Sequence, residues 1–171
     1  MIRIETPTFA DLEELTAVAK QTFVQSHGHS ASKNDVDSYL EANYSVDIFK
    51  AEINNPDFVY RVLFYNNELV GYSKIVYNNP ISAINEMNIT KLDRIYILEK
   101  FHGSGLGVKL FNYNINLAKD NGQLGIWLFT WIENKRAIGF YEKMGFKIVG
   151  SYDFKLSANH TNPNHQMYLK F

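Results

Sequence analysis

Three glycines at alternate positions form the part of this sequence best suited to hold a charged ligand. They stand at positions 103, 105 and 107 in the stretch FHGSGLG, between an apolar segment and a sequence with helical spacing. A helix N-terminus offers unpaired backbone N–H groups and the positive end of the helix dipole. Because glycines lack a Cβ atom, a phosphate can approach those N–H groups closely. The loop therefore indicates either a phosphate site or a flexible turn beside a close helix–sheet contact.

Two well-known phosphate-binding motifs do not match this loop. A P-loop ends in Gly-Lys-Ser/Thr, whereas Gly107 is followed by Val108 and Lys109. A dinucleotide fingerprint has a third glycine three residues after the second, and Val108 occupies that position here. The ligand must therefore be inferred from other residues.

A second group of residues with possible chemistry lies about 30 residues further along the chain. Tyr141 falls on the apolar stripe of a predicted helix, and Asn134 precedes that helix. A phenol can donate a proton to a leaving group, but helical spacing alone favours a core tyrosine. Asn134 likewise fits either a ligand contact or a plain helix N-cap.

Hydrophobic periodicity predicts the elements that position these residues. A short first strand is expected at residues 2–4, and later strands at 58–65, 69–77, 89–98, 125–131, 146–156 and 166–170. Helices are expected at about 9–25, at 35–53 as one helix or a pair, and at 105–119 and 134–144. This order predicts a single α+β domain over residues 1–171, with a central mixed, mostly antiparallel sheet flanked by helices.

Composition excludes several function classes. The chain has 171 residues and a formal net charge of −1, which gives no electrostatic reason to expect nucleic acid or an anionic membrane as a partner. It has no cysteine, so thiolate catalysis and disulfides are excluded, and a reducing, cytoplasmic location is expected. No apolar run approaches the ~18 residues of a membrane span, and the N-terminus lacks the apolar core of a signal peptide.

The two motifs together identify a family. The segment from LDRIYILEKFHGSGLG to FYEKMGFKIVGSYDF resembles the GNAT superfamily of acetyl-CoA-dependent N-acetyltransferases. That family's loop reads Gln/Arg-x-x-Gly-x-Gly/Ala, and here His102 occupies the first position. Its second motif, N-x-x-A-x-x-F/L-Y-x-x-x-G-F, is matched from Asn134 to Phe146. The resemblance covers about residue 60 to the C-terminus and implies the GNAT (acyl-CoA N-acyltransferase) fold.

The resemblance implies a role for each matching residue. The backbones of Ile97 and Leu98 would pair with the pantetheine arm of acetyl-CoA, and one of their N–H groups would polarise the thioester carbonyl. Asn134 would hydrogen-bond the coenzyme, and Tyr141 would bind it and protonate the departing thiolate. With no cysteine to form an acyl-enzyme, direct transfer in a ternary complex is expected. The pyrophosphate would bind to His102, Gly103, Ser104, Gly105, Leu106 and Gly107.

The general base is less clearly marked. Asp93 lies four residues before Ile97, where many relatives carry a carboxylate. Strand alternation predicts that Asp93 shares a face with Ile95 and Ile97. The alternative role is a solvated or salt-bridged carboxylate, with Arg94 as one candidate partner, and Glu133 is a second candidate for the base.

The segment WLFTWIENKRAIGFYEKMGF resembles bacterial spermine/spermidine acetyltransferases, which implies a small-molecule amine, with a polyamine as the first candidate. A cationic acceptor needs carboxylates or aromatic faces. Trp131, Glu133 and Tyr39 are the expected substrate-binding residues, with further charge available from Asp37, Glu41 and Asp47.

Other interpretations stay open. The chain could instead acetylate a protein, or bind acyl-CoA without turnover. A homodimer through the closing strands is also open. The five histidines show no metal-ligand spacing, so we expect no metal site and predict that His27, His29, His160 and His165 lie in surface loops.

Overall fold

The computed structural model describes all 171 residues, and seven strands form one mixed sheet in the order β1-β2-β3-β4-β5-β7-β6. Every neighbouring pair is antiparallel except β4 and β5. The predicted α+β fold, with a mixed sheet flanked by helices, is confirmed. The strands are β1 Ile2–Glu5, β2 Phe58–Tyr65, β3 Glu68–Val76, β4 Thr90–Ile97, β5 Gly125–Trp131, β6 Lys147–Lys155 and β7 Thr161–Lys170.

Five helices cover the two faces of the sheet, and no helix is both long and apolar enough to cross a membrane. The first three helices pack on one face, where their apolar side chains form the largest core cluster with β2 and β3. The last two pack on the opposite face against β3, β4 and β5. The helices are α1 Leu12–His27, α2 Lys33–Asn43, α3 Val46–Asn54, α4 Leu106–Asp120 and α5 Lys135–Lys143.

Short polar side chains mark where the helices begin. The hydroxyl of Ser32 accepts a hydrogen bond from the Asp35 N–H at 3.2 Å, and that of Ser45 accepts one from the Ile48 N–H at 3.2 Å. These caps satisfy N–H groups that a first turn cannot pair internally. The second cap explains why residues 35–53 form two helices rather than one.

The parallel strands β4 and β5 meet only at their beginnings. Thr90 pairs with Ile126 and Lys91 pairs with Trp127, and no later residues of the two strands are paired. Beyond these pairs the strands separate. The sheet therefore carries a gap beside the second half of β4, immediately before the glycine loop.

A bulge in β4 overturns one prediction. Lys74 of β3 pairs with Arg94 and Ile75 pairs with Leu92, so Asp93 has no partner on β3. One extra residue resets the side-chain alternation of a strand. The expectation that Asp93 shares a face with Ile95 and Ile97 is therefore wrong. Asp93 lies on the α1–α3 face, whereas the two isoleucines pack against α4.

The last strand is longer than periodicity predicted, because it begins at Thr161 rather than at residue 166. Its early part contains Pro163. The Pro163 carbonyl accepts a hydrogen bond from the Ile132 N–H, just past the end of β5. Since β5 has ended there, the missing N–H of the proline costs no ladder hydrogen bond.

Candidate active site

The gap between β4 and β5 opens into a cleft. The cleft passes through the sheet and has two sides. The loop side lies next to the glycine loop and is lined by Ile97, His102, Asn134, Ala137 and Tyr141. The aromatic side lies under α1 and α2 and is lined by Phe23, His27, Tyr39, Tyr44, Arg94, Tyr96, Phe129, Trp131 and Phe154.

The glycine loop presents a row of free backbone N–H groups. Gly103 and Gly105 both have φ of +81°, a conformation that side chains with a Cβ atom rarely adopt. The N–H groups of residues 103 and 105–108 donate to no group in the chain. A Cβ atom added at Gly103 or Gly105 would meet no atom within 4 Å. Open space above unpaired N–H groups at a helix N-terminus is suited to a pyrophosphate.

His102 is held in one orientation by both of its ring nitrogens. Its Nε2 lies 2.8 Å from the Ile97 carbonyl oxygen, and Arg136 donates to its Nδ1. Since Nδ1 accepts, Nε2 carries the proton. Burial lowers the pKa of His102, and the Arg136 guanidinium lowers it further, against the opposing effect of the Ile97 hydrogen bond. His102 is therefore neutral at pH 7, and Arg136 is the cation beside the loop.

The backbone N–H groups of Ile97 and Leu98, which were predicted to contact the pantetheine arm, point in opposite directions. The Leu98 N–H donates to the Val70 carbonyl at 2.8 Å and so points toward β3. Backbone groups of successive strand residues point to opposite sides. The Ile97 N–H therefore faces the cleft, and the Ile97 carbonyl accepts from His102. Of these two residues, only Ile97 presents its N–H to the gap.

Asn134 and Tyr141 both line the loop side. The Asn134 side chain caps α5, because its Oδ1 accepts a hydrogen bond from the Ala137 N–H at 3.1 Å. The Tyr141 ring packs edge-on against Phe146, with ring centres 5.4 Å apart. Its hydroxyl donates to no group in the chain. Burial raises the pKa of Tyr141 well above its ordinary value, so the phenol stays protonated and can donate.

Asp93 lies in the cleft within an ion-pair network. Its carboxylate is 2.7 Å from Lys91 Nζ and 3.4 Å from Lys74 Nζ. Burial raises the pKa of Asp93, but the two lysines outweigh burial and hold the pKa below its ordinary value. Asp93 is therefore ionised at neutral pH. It is salt-bridged, but to Lys91 and Lys74 rather than to Arg94, and its role as general base stays a prediction.

The structure places only some of the expected acceptor residues in the cleft. Tyr39 and Trp131 line its aromatic side, but Glu133 is exposed and outside it. Because β5 ends at Trp131, the chain turns away before Glu133. The three acidic residues of the helical N-terminal region also lie outside the cleft; they are Asp37, Glu41 and Asp47.

His27 is a cleft residue that the sequence reasoning missed. It is the last residue of α1, its ring stacks on Phe23 at 5.0 Å, and it lies 6.2 Å from the Trp131 ring. Its Nδ1 is buried without a hydrogen-bond partner. Burial lowers the pKa of His27 to about 4, with a smaller contribution from His29. The prediction of a surface loop is wrong for His27, and the signal was that His27 continues the i, i+4 stripe that includes Phe23. It is also wrong for His165, which lies within β7.

Comparisons with known sequences and structures all find acetyltransferases. A family model described as the acetyltransferase (GNAT) family matches residues 18–146. An uncharacterized N-acetyltransferase of Mycobacterium tuberculosis is 30% identical over 152 residues, which cover 89% of this chain and 93% of the relative.

Two further similarities concern proteins of Thermoplasma acidophilum. A spermidine N(1)-acetyltransferase is 25% identical over 151 residues, covering 86% of this chain and 89% of that protein. A solved structure of the PaiA N-acetyltransferase in complex with coenzyme A superimposes with a TM-score of 0.80. That structure shares 23% identity and covers 100% of this chain and 99% of its own.

Proposed function

Because this chain belongs to the acetyltransferase (GNAT) family, its acetyl donor is acetyl-CoA, and we propose that its acceptor is the primary amine of a small molecule. The observation that carries the proposal is one continuous cleft. It runs from His102, next to the free N–H groups of the glycine loop, past Tyr141 to the aromatic side. Two reactants bound at its two ends would meet in the gap between β4 and β5, and holding them together supplies much of the rate.

In the proposed reaction each residue acts at one place. The glycine-loop N–H groups hold the pyrophosphate, and the Ile97 N–H hydrogen-bonds the thioester carbonyl oxygen. Asp93 takes the proton that the amine loses as its nitrogen bonds to the carbonyl carbon. When the carbon–sulfur bond breaks, Tyr141 protonates the departing thiolate. Asn134 contributes its side-chain amide to the coenzyme site while it caps α5.

The aromatic side favours a small acceptor over a protein. The hairpin of β6 and β7 is tied to the loop after α1, because His160 Nε2 lies 2.8 Å from the Ser30 carbonyl oxygen and Asn162 Nδ2 donates to Ser30 Oγ at 2.8 Å. These contacts hold the hairpin against the loop after α1 beside the aromatic side, whereas a protein acceptor would need an open groove there.

Polyamines are the first candidates from the relatives, since the Thermoplasma relative is named a spermidine N(1)-acetyltransferase. The aromatic rings that line this side, Tyr39 and Trp131 among them, can bind an ammonium group through their faces.

Thiol release from acetyl-CoA, followed with a panel of amines, tests the proposal. The panel contains spermidine, spermine, amino acids, aminoglycosides and short peptides. Release with small amines is expected. Release with peptides alone would favour protein acetylation. Binding of acetyl-CoA with no release from any amine would favour a module that binds acyl-CoA without turnover, and would refute the proposed activity.

A further inference from the structure

Arg94 forms the floor of the aromatic side of the cleft. Its side chain is only 12% exposed, and its guanidinium carbon lies 4.6 Å from the centre of the Tyr44 ring. Only one of its terminal nitrogens is engaged: Nη1 lies 3.4 Å from the Tyr60 hydroxyl and 3.9 Å from a Glu52 oxygen.

The remaining nitrogens of Arg94, Nε and Nη2, donate to no group in the chain. Both nitrogens lack a partner but are not sealed from solvent, and Arg94 lines the cleft. A guanidinium carries five N–H donors in a fixed plane. Most of the donor capacity of this buried cation is therefore available to a molecule in the cleft.

The carboxylates around Arg94 are already used by other groups. Glu52 accepts from the Tyr60 hydroxyl and lies 3.0 Å from Lys74 Nζ. Asp93 is held by Lys91 and Lys74. Three cations therefore surround two carboxylates, so this group carries one excess positive charge.

The wider cleft has the same sign of charge. Its lining contains a single carboxylate, Asp93, beside the cations Lys91, Arg94 and Arg136. Burial keeps His27 neutral and lowers the pKa of His102 as well. A polyamine would bring further positive charge to this surface, and like charges at close range are costly.

We propose that the acceptor amine carries a carboxylate and that Arg94 binds it; this inference rests on the proposed acetyltransferase function. The planar guanidinium matches a carboxylate with two parallel hydrogen bonds. Stacking on Tyr44 keeps that plane in place. The bound carboxylate also neutralises the excess charge of the group, whereas the relatives' polyamines would increase it.

Matched pairs of amines test this inference. Each pair is an amino acid and its carboxamide, with the amine at the α or the ω position, and spermidine, spermine and putrescine complete the panel. Thiol release is expected to give kcat/KM about 10- to 100-fold higher for the carboxylate member of at least one pair, as for hydrogen bonds between charged groups. Polyamines are expected to be poorer than that amino acid.

Variants of Arg94 distinguish its direct contact with a carboxylate from a general effect of positive charge. Arg94→Gln should bring the acid-to-amide ratio close to one, with acetyl-CoA affinity unchanged. Arg94→Lys keeps the charge without the planar fork and should lower the ratio too, so it serves if the glutamine variant does not fold. Arg61→Gln is the matched control, because Arg61 lies on β2 with its guanidinium near the Tyr113 ring, outside the cleft.

The outcomes distinguish this inference from the function it rests on. Turnover of polyamines in preference to every amino acid, or equal loss of acids and amides in Arg94→Gln, would overturn the carboxylate proposal alone. If no amine releases thiol, the proposed function fails, and a binding measurement decides the inference. The same amino acids should then raise the melting temperature of the wild-type protein with CoA but not that of Arg94→Gln, and the absence of this difference would overturn it.

Discussion

The guanidinium of Arg136 donates a hydrogen bond to Nδ1 of His102, and this contact joins the first turn of α5 to the glycine loop before α4. Loop and helix are thereby coupled at the point where the proposed pyrophosphate site meets the cleft. Because His102 is neutral, Arg136 is the cation that the loop side offers to a phosphate.

We predict that Arg136→Gln weakens acetyl-CoA binding by about 10-fold at low salt, as expected for a lost charge-assisted contact. The difference from wild type should shrink as ionic strength rises, because salt screens exposed charges. Titration calorimetry at two salt concentrations measures this. Lys143→Gln, at the far end of α5, is the control and should bind acetyl-CoA like wild type. Equal affinities of Arg136→Gln and wild type would contradict the role of Arg136.

Gly107 is a glycine that the fold does not require. It has no positive φ, and an added Cβ atom would meet only a side-chain carbon of Ile97, at an ordinary 3.8 Å. Gly107→Ala should therefore keep or slightly raise stability, since alanine favours a helix by roughly 0.5–1 kcal/mol. Acetyl-CoA affinity should stay close to that of wild type, because the loop motif of the family accepts alanine at this position and the free N–H groups remain.

Gly139→Ala is the matched control for that variant, since Gly139 lies within α5, off the cleft, with no atom near an added Cβ. Melting temperature and acetyl-CoA affinity, measured together, separate the two effects. Loss of acetyl-CoA affinity in Gly107→Ala but not in Gly139→Ala would contradict this prediction.

Tyr141→Phe is expected to lower kcat by about 100-fold or more, in the range of general acid catalysis. Acetyl-CoA affinity and melting temperature should hardly change, because the hydroxyl makes no hydrogen bond within the chain and the ring remains. The raised pKa of Tyr141 also predicts no loss of activity from its ionisation up to pH 10. Tyr113→Phe, on the exposed side of α4, is the control; parallel loss of turnover and of coenzyme affinity in Tyr141→Phe would contradict the acid role.

Asp93 is both the proposed base and the partner of two lysines, and two variants separate these roles. Asp93→Asn should lower kcat by about 100-fold and also destabilise the fold by about 2 kcal/mol, because it leaves lysine charge uncompensated. Lys91→Met removes the 2.7 Å ion pair but keeps the carboxylate. Steady-state kinetics should show that Lys91→Met retains most turnover. Similar losses in both variants would mean that Asp93 acts only through the ion pairs.

Local patterns in the sequence were enough to predict much of this structure. The bounds of β2 and β5 agree with periodicity residue for residue, since both strands read as apolar runs between turn residues. The glycine loop was predicted to open a helix because the apolar residues after it recur at helical spacing, which is a local signal. Its free N–H groups lie where that prediction put them.

The acceptor end of the cleft could not be predicted in the same way, because its properties depend on contacts between distant segments. The bulge at Asp93 arises from its register with β3. Arg94 acquires its role only when α2 and α3 place Tyr44 and Glu52 around it. Charge counted along the sequence suggested acidic helices near the acceptor, whereas folding directs those side chains elsewhere.

His27 should make the fold sensitive to mild acid. Its pKa is about 4 in the folded chain, against about 6.5 when unfolded, so the unfolded state binds more protons between these values. No stability is lost above pH 6.5, and stability falls as pH drops from 6.5 toward 4. The full difference between these two pKa values corresponds to about 3 kcal/mol in the free energy of unfolding.

Replacing this histidine with an apolar ring should remove that sensitivity. His27→Phe keeps the stacking on Phe23 and has no group to protonate, so its melting temperature should fall less than that of wild type between pH 7 and about pH 4.5. Differential scanning calorimetry at several pH values measures the slope. His165→Gln, on β7 and outside the cleft, is the control and should keep the wild-type slope. A His27→Phe slope equal to that of wild type would show that another group dominates the acid response.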